Sequence, residues 1–361
     1  MINNINKFFI VIILSFILYI LFFNKKKETF INYKSCKNNT LDKALINVLK
    51  QTNSEKVDKK WDLYVPCDNF NLEKELSTLT INKEQFVFGI SGSDYLASKN
   101  TLWEILKNYY LNNVTNYLPK SYLPRDIELF KNDYKLNQLY ILKKNIQQQK
   151  GIEISKNLDF ILYSLQNKTI NIVQELLSDP LLVDGRKINM RVYLFIVCNN
   201  KNKNGYIHNN GFIYYTRKKY SKKKIDFDYH ITTGYIDRSV YENNPLTHTD
   251  LYEHLDKIKK GNSKILKNNI VELMKNIFEP LKKYIGNNKK LQKGTSFQLF
   301  GCDVAPDKNL DCKLIEINKG PDLNFKDERD GEVKKDVLYS IFSLLKIDNN
   351  PNNYINNFIK L

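Results

Sequence analysis

Phe300-Gly301-Cys302-Asp303-Val304, followed by Leu314-Ile315-Glu316-Ile317-Asn318, is the stretch that decides the fold. Both runs are apolar and rich in residues that favour strands, and the polar segment 305–311 between them reads as a turn. A hairpin follows. Glu316 and Asn318 stand two apart on a strand, so their side chains leave the same face. Asp303, on the preceding strand, can converge with them. Carboxylates set among Leu314, Ile315 and Ile317 are costly to bury unless paired or metal-bound. Three oxygen ligands on adjacent strands suit Mg²⁺, which keeps several waters and takes further ligands from phosphates. A polar solvent face of a hairpin would show the same alternation, so neighbouring segments must discriminate.

Upstream, Ser178 to Arg191 leads into a strand at 190–197, and Lys187, Asn189 and Arg191 alternate along its entrance. Two cations and an amide on one face suit a triphosphate or a carboxylate; an exposed basic strand edge would look the same. Residues 211–215, preceded by Asn209 and Asn210, are expected to pair with 190–197 as a hairpin. A strand at 138–142 delivers Lys143 to a glutamine-rich loop ending at Lys150, Gly151 and Ile152, where an ammonium can clamp phosphates. Further strands are expected at 85–90 and 170–174, and helices near 41–49, at 101–111 and within 251–285. The pattern is α/β (α+β), with mixed, largely antiparallel sheets and flanking helices.

The chain has 361 residues, enough for two or three packed lobes, and 42% are hydrophobic, so a folded core is expected. Its formal net charge of +17 favours polyanionic partners, including acidic protein tails. The densest basic run is 217–224, which also reads as a solvated loop. With no zinc-finger spacing and no recognition helix, nucleic acid is not an expected partner. Five scattered cysteines without a C-x-x-C pair argue against a disulfide framework and for a reducing compartment.

Residues 8–23 read FFIVIILSFILYILFF, which spans about 24 Å as a helix. Lys25, Lys26 and Lys27 follow, against Lys7 before it. This predicts a single-pass transmembrane helix, with the membrane as a partner and the catalytic domain in the cytosol. A cleaved signal peptide would carry the opposite flanks. The expected organisation is an anchor at 1–27, a linker at 28–60, an N-terminal α/β lobe at 61–135, and central and C-terminal lobes at 136–361.

Together the segments LASKNTLWEIL (96–106), YLPKSYLP (117–124), YILKKNIQQQKGI (140–152), 172–197, HITTGYIDR (230–238), LFGCDV (299–304) and KLIEINKGPDL (313–323) resemble the tubulin–tyrosine ligase-like family of ATP-grasp ligases, over residues 61–323. The resemblance implies an ATP-grasp fold with ATP and Mg²⁺ as cofactors. Lys143, Lys150, Gly151 and Ile152 would hold ATP phosphates, and Gln174, Glu175, Leu176 and Leu177 would meet adenine through their backbone. Lys187, Asn189, Thr232 and Thr233 fall in further nucleotide-binding runs. Arg191 would be catalytic, and Asp303, Glu316 and Asn318 would hold the metal. The implied chemistry joins an amino acid, glutamate being expected, to a carboxylate of an acidic protein such as tubulin through an acyl phosphate. Departures from the family pattern are Asn189 for an Asp, Thr233 for an Asn, and Tyr214 where many members place an Arg. They keep two other readings open: a catalytically impaired pseudoenzyme that binds tubulin or another acidic protein, and an ATP-grasp ligase with a non-tubulin acceptor.

Overall fold

A computed structural model of the chain describes residues 31–36, 43–144, 151–347 and 357–361. The strands are β1 (Asn32–Lys34), β2 (Glu55–Lys56), β3 (Leu63–Tyr64), β4 (Phe86–Phe88), β5 (Ser121–Tyr122), β6 (Tyr140–Lys143), β7 (Ile152–Ser155) and β8 (Ile172–Glu175). They continue with β9 (Leu182–Val183), β10 (Arg186–Asn199), β11 (Asn202–His208), β12 (Phe212–Thr216), β13 (Thr232–Thr233), β14 (Thr295–Pro306), β15 (Cys312–Asn318) and β16 (Phe358–Lys360).

Two sheets organise these elements. The larger has twelve strands along the order β13-β12-β10-β14-β4-β3-β1-β2, with β9 and β11 added to β10, β15 to β14 and β16 to β11. The smaller is β5-β8-β6-β7, antiparallel throughout. At the centre of the large sheet lies β10, whose Val192, Tyr193, Leu194, Phe195 and Ile196 are all buried. Burial of consecutive residues means that both faces are covered, which explains an apolar run without alternation. The small sheet builds its own core from Tyr122, Phe130, Tyr140, Leu142, Ile161, Leu165, Ile170 and Val173. The architecture is thus a mixed α/β arrangement of sheets with flanking helices.

Local sequence accounts for the helices. Leu102, Trp103, Ile105 and Leu106 form the buried stripe of the helix Lys99–Tyr110. The helical stretch expected at 251–285 is two helices, His248–Ile258 and Asn262–Leu281, separated at Gly261. Gly261 has φ +97°, a conformation costly for a residue with a Cβ.

Several expectations change. The hairpin partner of β10 is β11, which pairs with Leu194 to Asn199; β12 instead joins the first half of the same edge, opposite Ile188 to Arg191. Polar Asn202, Lys203 and Asn204 hid β11 from a reading by apolar alternation. Residues 28–60, expected as a linker with a helix near 41–49, contain that helix as Lys43–Gln51, which buries Ala44, Leu45, Val48 and Leu49, and add the strands β1 and β2. Cys36 and Cys67 are paired as a disulfide, contrary to the expectation of unpaired thiols. They lie 31 residues apart in sequence but follow β1 and β3, which run parallel and side by side.

The membrane placement is also corrected. No helix among the described residues is long and apolar enough to cross a membrane, and the segment 8–23 on which that placement rested lies outside the described residues.

Candidate functional site

The site is built across the two sheets. On the large sheet, register fixes the array: Arg191 lies opposite Asp303 between β10 and β14, and Asp303 lies opposite Glu316 between β14 and β15. Directly opposed residues share a face, so the three form a row. Alternation along β10 adds Asn189 and Lys187 to that face, and Asn318 follows Glu316 on β15. The Arg191 Nε donates to Asp303 Oδ1 at 2.8 Å, and Asn318 Nδ2 donates to Glu316 Oε1 at 3.3 Å. Tyr214, opposite Asn189 on β12, lies under the Arg191 guanidinium with its ring centre 5.0 Å from Cζ. Gly301 leaves room for that guanidinium: a Cβ there would sit 2.7 Å from Arg191 Nη1.

The small sheet supplies the facing wall. Lys143, ending β6, is buried and donates from Nζ to Gln174 Oε1 at 2.7 Å. Between the walls lies a narrow cleft. Its lining includes Lys143, Ile152, Gln174, Glu175, Leu176, Leu177, Lys187, Asn189, Thr232, Asp303 and Glu316. Residues called from scattered segments therefore meet in one place. Others sit beside it: Arg191 and Asn318 bond to lining carboxylates, and Gly151 precedes Ile152 with its carbonyl accepting from Lys144 N at 3.1 Å. Thr233 points differently from Thr232, its Oγ accepting from Tyr235 N at 3.0 Å. Lys150 lies outside the described residues.

The hinge is narrower than expected. Among its four residues, Glu175 N–H already donates to Lys120 O and Leu176 N–H to Leu139 O, each at 2.8 Å. Those two groups are committed within the fold.

Further residues join the site that the sequence reading did not name individually, His230 having been read only within the segment 230–238. Pro119 and His230 line the cleft, and Lys99 stands 3.6 Å from Glu316 Oε2. Lys99 opens a helix and reads as an ordinary solvated lysine, so only the fold reveals its position. His230 Nε2 donates to Lys224 O at 2.6 Å, which leaves Nδ1 as an acceptor with no hydrogen-bond partner among the described residues. Asn189 Oδ1 is likewise buried without a partner. Two unmet acceptors on a cleft wall suit a ligand that brings its own donors.

Charge is concentrated here. Burial lowers Lys143 to about 8 against the opposing pull of Glu316, and burial followed by repulsion from Lys143 lowers Lys187 to about 8. Burial would also lower Arg191, but the Asp303 carboxylate overrides it and raises the guanidinium further. Asp303 is raised, chiefly by burial, with Arg191 opposing and Glu316 adding to the rise. For Glu316 burial pushes upward, but Lys99 and Lys143 win and its net shift is downward. Among the described residues no group of three or more His, Cys, Asp and Glu side chains could hold a metal. What the site presents is a carboxylate pair with an amide beside it, surrounded by cations.

The basic run 217–224 is less free than its sequence implies. Lys219 pairs with Asp184 at 3.0 Å and Lys222 with Asp179 at 2.9 Å, while Lys218 faces Asp226 and Asp228. Tyr220 donates its hydroxyl to Ser178 O at 2.8 Å, so the run crosses to the segment just after the hinge.

Residues 77–353 match the sequence profile described as "Tubulin-tyrosine ligase family". The chain belongs to that family. Among curated relatives, the Caenorhabditis elegans "Probable tubulin polyglutamylase ttll-9" is 27% identical over 251 residues, covering 64% of this chain and 59% of that protein. The human "Probable tubulin polyglutamylase TTLL2" is 23% identical, covering 84% and 54% respectively. The human "Inactive polyglycylase TTLL10" is 27% identical, covering 62% and 37%. The chain thus spans less than two thirds of the length of each of these family members.

Proposed function

We propose that this family member is an ATP-dependent ligase of the ATP-grasp type that joins glutamate to a carboxylate of an acidic protein, with tubulin as acceptor. The observation that carries the reading is the cleft itself, in which Lys143 from one sheet faces Lys187, Asp303 and Glu316 from the other. The names of the relatives, two of them glutamylases, support the choice of reaction. The net charge of +17 supports an acidic acceptor, which must approach a site already carrying a nucleotide's charge.

In this reading Lys143 and Lys187 bind the phosphates, and Asn189 Oδ1 and His230 Nδ1 accept from ligand hydroxyls or amines. Asp303 and Glu316, with Asn318, fit Mg²⁺: two opposed carboxylates and an amide leave coordination positions for phosphate oxygens and water. The ion would neutralise phosphate charge and align the transferring group. An acceptor carboxylate oxygen attacks the γ-phosphorus, the bond to the β–γ bridging oxygen breaks, and ADP leaves. The neutral amine of glutamate then attacks the acyl carbon, phosphate departs, and the nitrogen loses a proton to water. Arg191, held by Asp303 through Nε, would offset the charge of the transferring phosphoryl.

The test is incorporation of labelled glutamate into tubulin by the purified chain with Mg–ATP. Incorporation lost in Glu316→Gln supports the reading, whereas tubulin binding that needs no ATP and gives no incorporation overturns it. That second outcome would favour a non-catalytic binder, a reading to which the covering of Arg191 by Tyr214 lends weight. Incorporation into other acidic proteins but not tubulin would replace the acceptor.

A further inference from the structure

We propose that Gln174 is a positioning residue for Lys143, acting through its side-chain amide as the last link of a buried relay that aims the ammonium across the cleft. The proposal rests on the nucleotide reading given above.

The relay has four members. Lys143 Nζ donates to Gln174 Oε1 at 2.7 Å, Gln174 Nε2 donates to Ser121 Oγ at 3.1 Å, and Ser121 donates its hydroxyl to Pro119 O at 2.8 Å. Lys143, Gln174 and Ser121 are 4%, 6% and 2% exposed, so water does not substitute for these bonds. Each direction is forced. An ammonium only donates, so the amide oxygen must face it; a carbonyl only accepts, so the serine proton must go to Pro119. The amide nitrogen then donates one of its two protons to the serine lone pair. Ser121 and Gln174 are directly opposed across β5 and β8, with Lys143 on the adjoining strand, so the sheet itself sets the spacing.

Physically, the relay opposes a competing attraction. Glu316 is the acid that acts most strongly on Lys143, and an unrestrained lysine would turn towards it. That movement would spend the ammonium on a carboxylate needed for another purpose. One bond to Gln174 keeps Nζ near β8 and, among the described residues, is the hydrogen bond that holds it, so its remaining protons can turn to a ligand. Because Pro119 also lines the cleft, the relay starts and ends on the same wall.

The experiment measures binding of Mg–ATP, Mg–ADP and adenosine to the full chain by calorimetry. In Gln174→Met, which keeps the length but removes the amide, Mg–ATP and Mg–ADP should weaken by roughly tenfold, the worth of one charge-assisted hydrogen bond. Adenosine, which has no phosphate for Lys143 to meet, should change by less than about twofold. Because Gln174 acts through Lys143, the double variant Gln174→Met with Lys143→Met should bind no worse than Lys143→Met alone. Equal losses for adenosine and Mg–ATP, independent effects in the double variant, or unchanged binding would each overturn the positioning role. If Gln174→Met does not fold, Ser121→Ala, which lets the amide turn over, should show the same selectivity with a smaller loss. A wild-type chain that does not bind Mg–ATP would instead overturn the nucleotide reading.

Discussion

Arg191 and Asp303 face each other across two neighbouring strands, joined by an Nε–Oδ1 hydrogen bond of 2.8 Å in a setting where both side chains are largely shielded from water. Removing one partner of such a pair strands the other's charge. Arg191→Met is therefore expected to destabilise the fold by about 3–5 kcal/mol, measured by denaturant unfolding at neutral pH. A loss below about 1 kcal/mol would mean that water reaches Asp303 freely.

Gly301 tests the same pair from the side. A Cβ there would lie 2.7 Å from Arg191 Nη1 and 3.0 Å from Cδ, so the guanidinium must move. Gly301→Ala should cost about 1–3 kcal/mol in stability and lower glutamate incorporation at least tenfold, roughly the effect of a small misplacement at a reacting centre. Wild-type turnover in this variant would show that the position of Arg191 does not matter.

Lys187 offers a substitution with effects of opposite sign. It is buried, and the like charge of Lys143 acts on it. Lys187→Met should raise the stability of the ligand-free chain by on the order of 1 kcal/mol, because an unfavourable buried charge disappears. It should also weaken Mg–ATP binding by at least roughly tenfold. A melting curve and a titration on the same preparation decide the matter; stability and affinity falling together would contradict it.

The pH response follows from Lys143 and Lys187, both lowered to about 8 by burial. Folded values below the unfolded ones mean that the unfolded chain holds more protons between pH 8 and the ordinary lysine range. These two groups therefore add stability as pH rises through that window and remove it as pH falls through 8. Binding of a polyanion runs the other way, since it prefers the charged lysines. The nucleotide-induced rise in melting temperature should shrink from pH 7 to pH 9, and binding below pH 9 should take up protons, visible as buffer-dependent heats. A nucleotide effect independent of pH would exclude both lysines from phosphate contact.

Much of the fold was legible because its central strands announce themselves. The run 190–197 is apolar enough to be read as a strand from sequence, and β14 and β15 kept their carboxylates in phase with the pleat. What stayed hidden was set by distance in sequence. The strand β11 is polar at its start, Cys36 meets Cys67 only because two short strands run parallel, and Lys99 reaches Glu316 only through the placement of a helix start. Gln174 shows the limit most clearly. Its membership of the site followed from its segment, but the direction of its amide depends on Ser121, 53 residues away.

The cleft's two walls belong to different sheets, whose cores are largely distinct although Ile172 of β8 packs into the larger one, so no strand register sets the gap between Lys143 and the row on β10, β14 and β15. A ligand that spans the gap becomes a cross-brace between them. It would tie the unfolding of the small sheet to that of the large one, and the ligand-free chain should release the small sheet first.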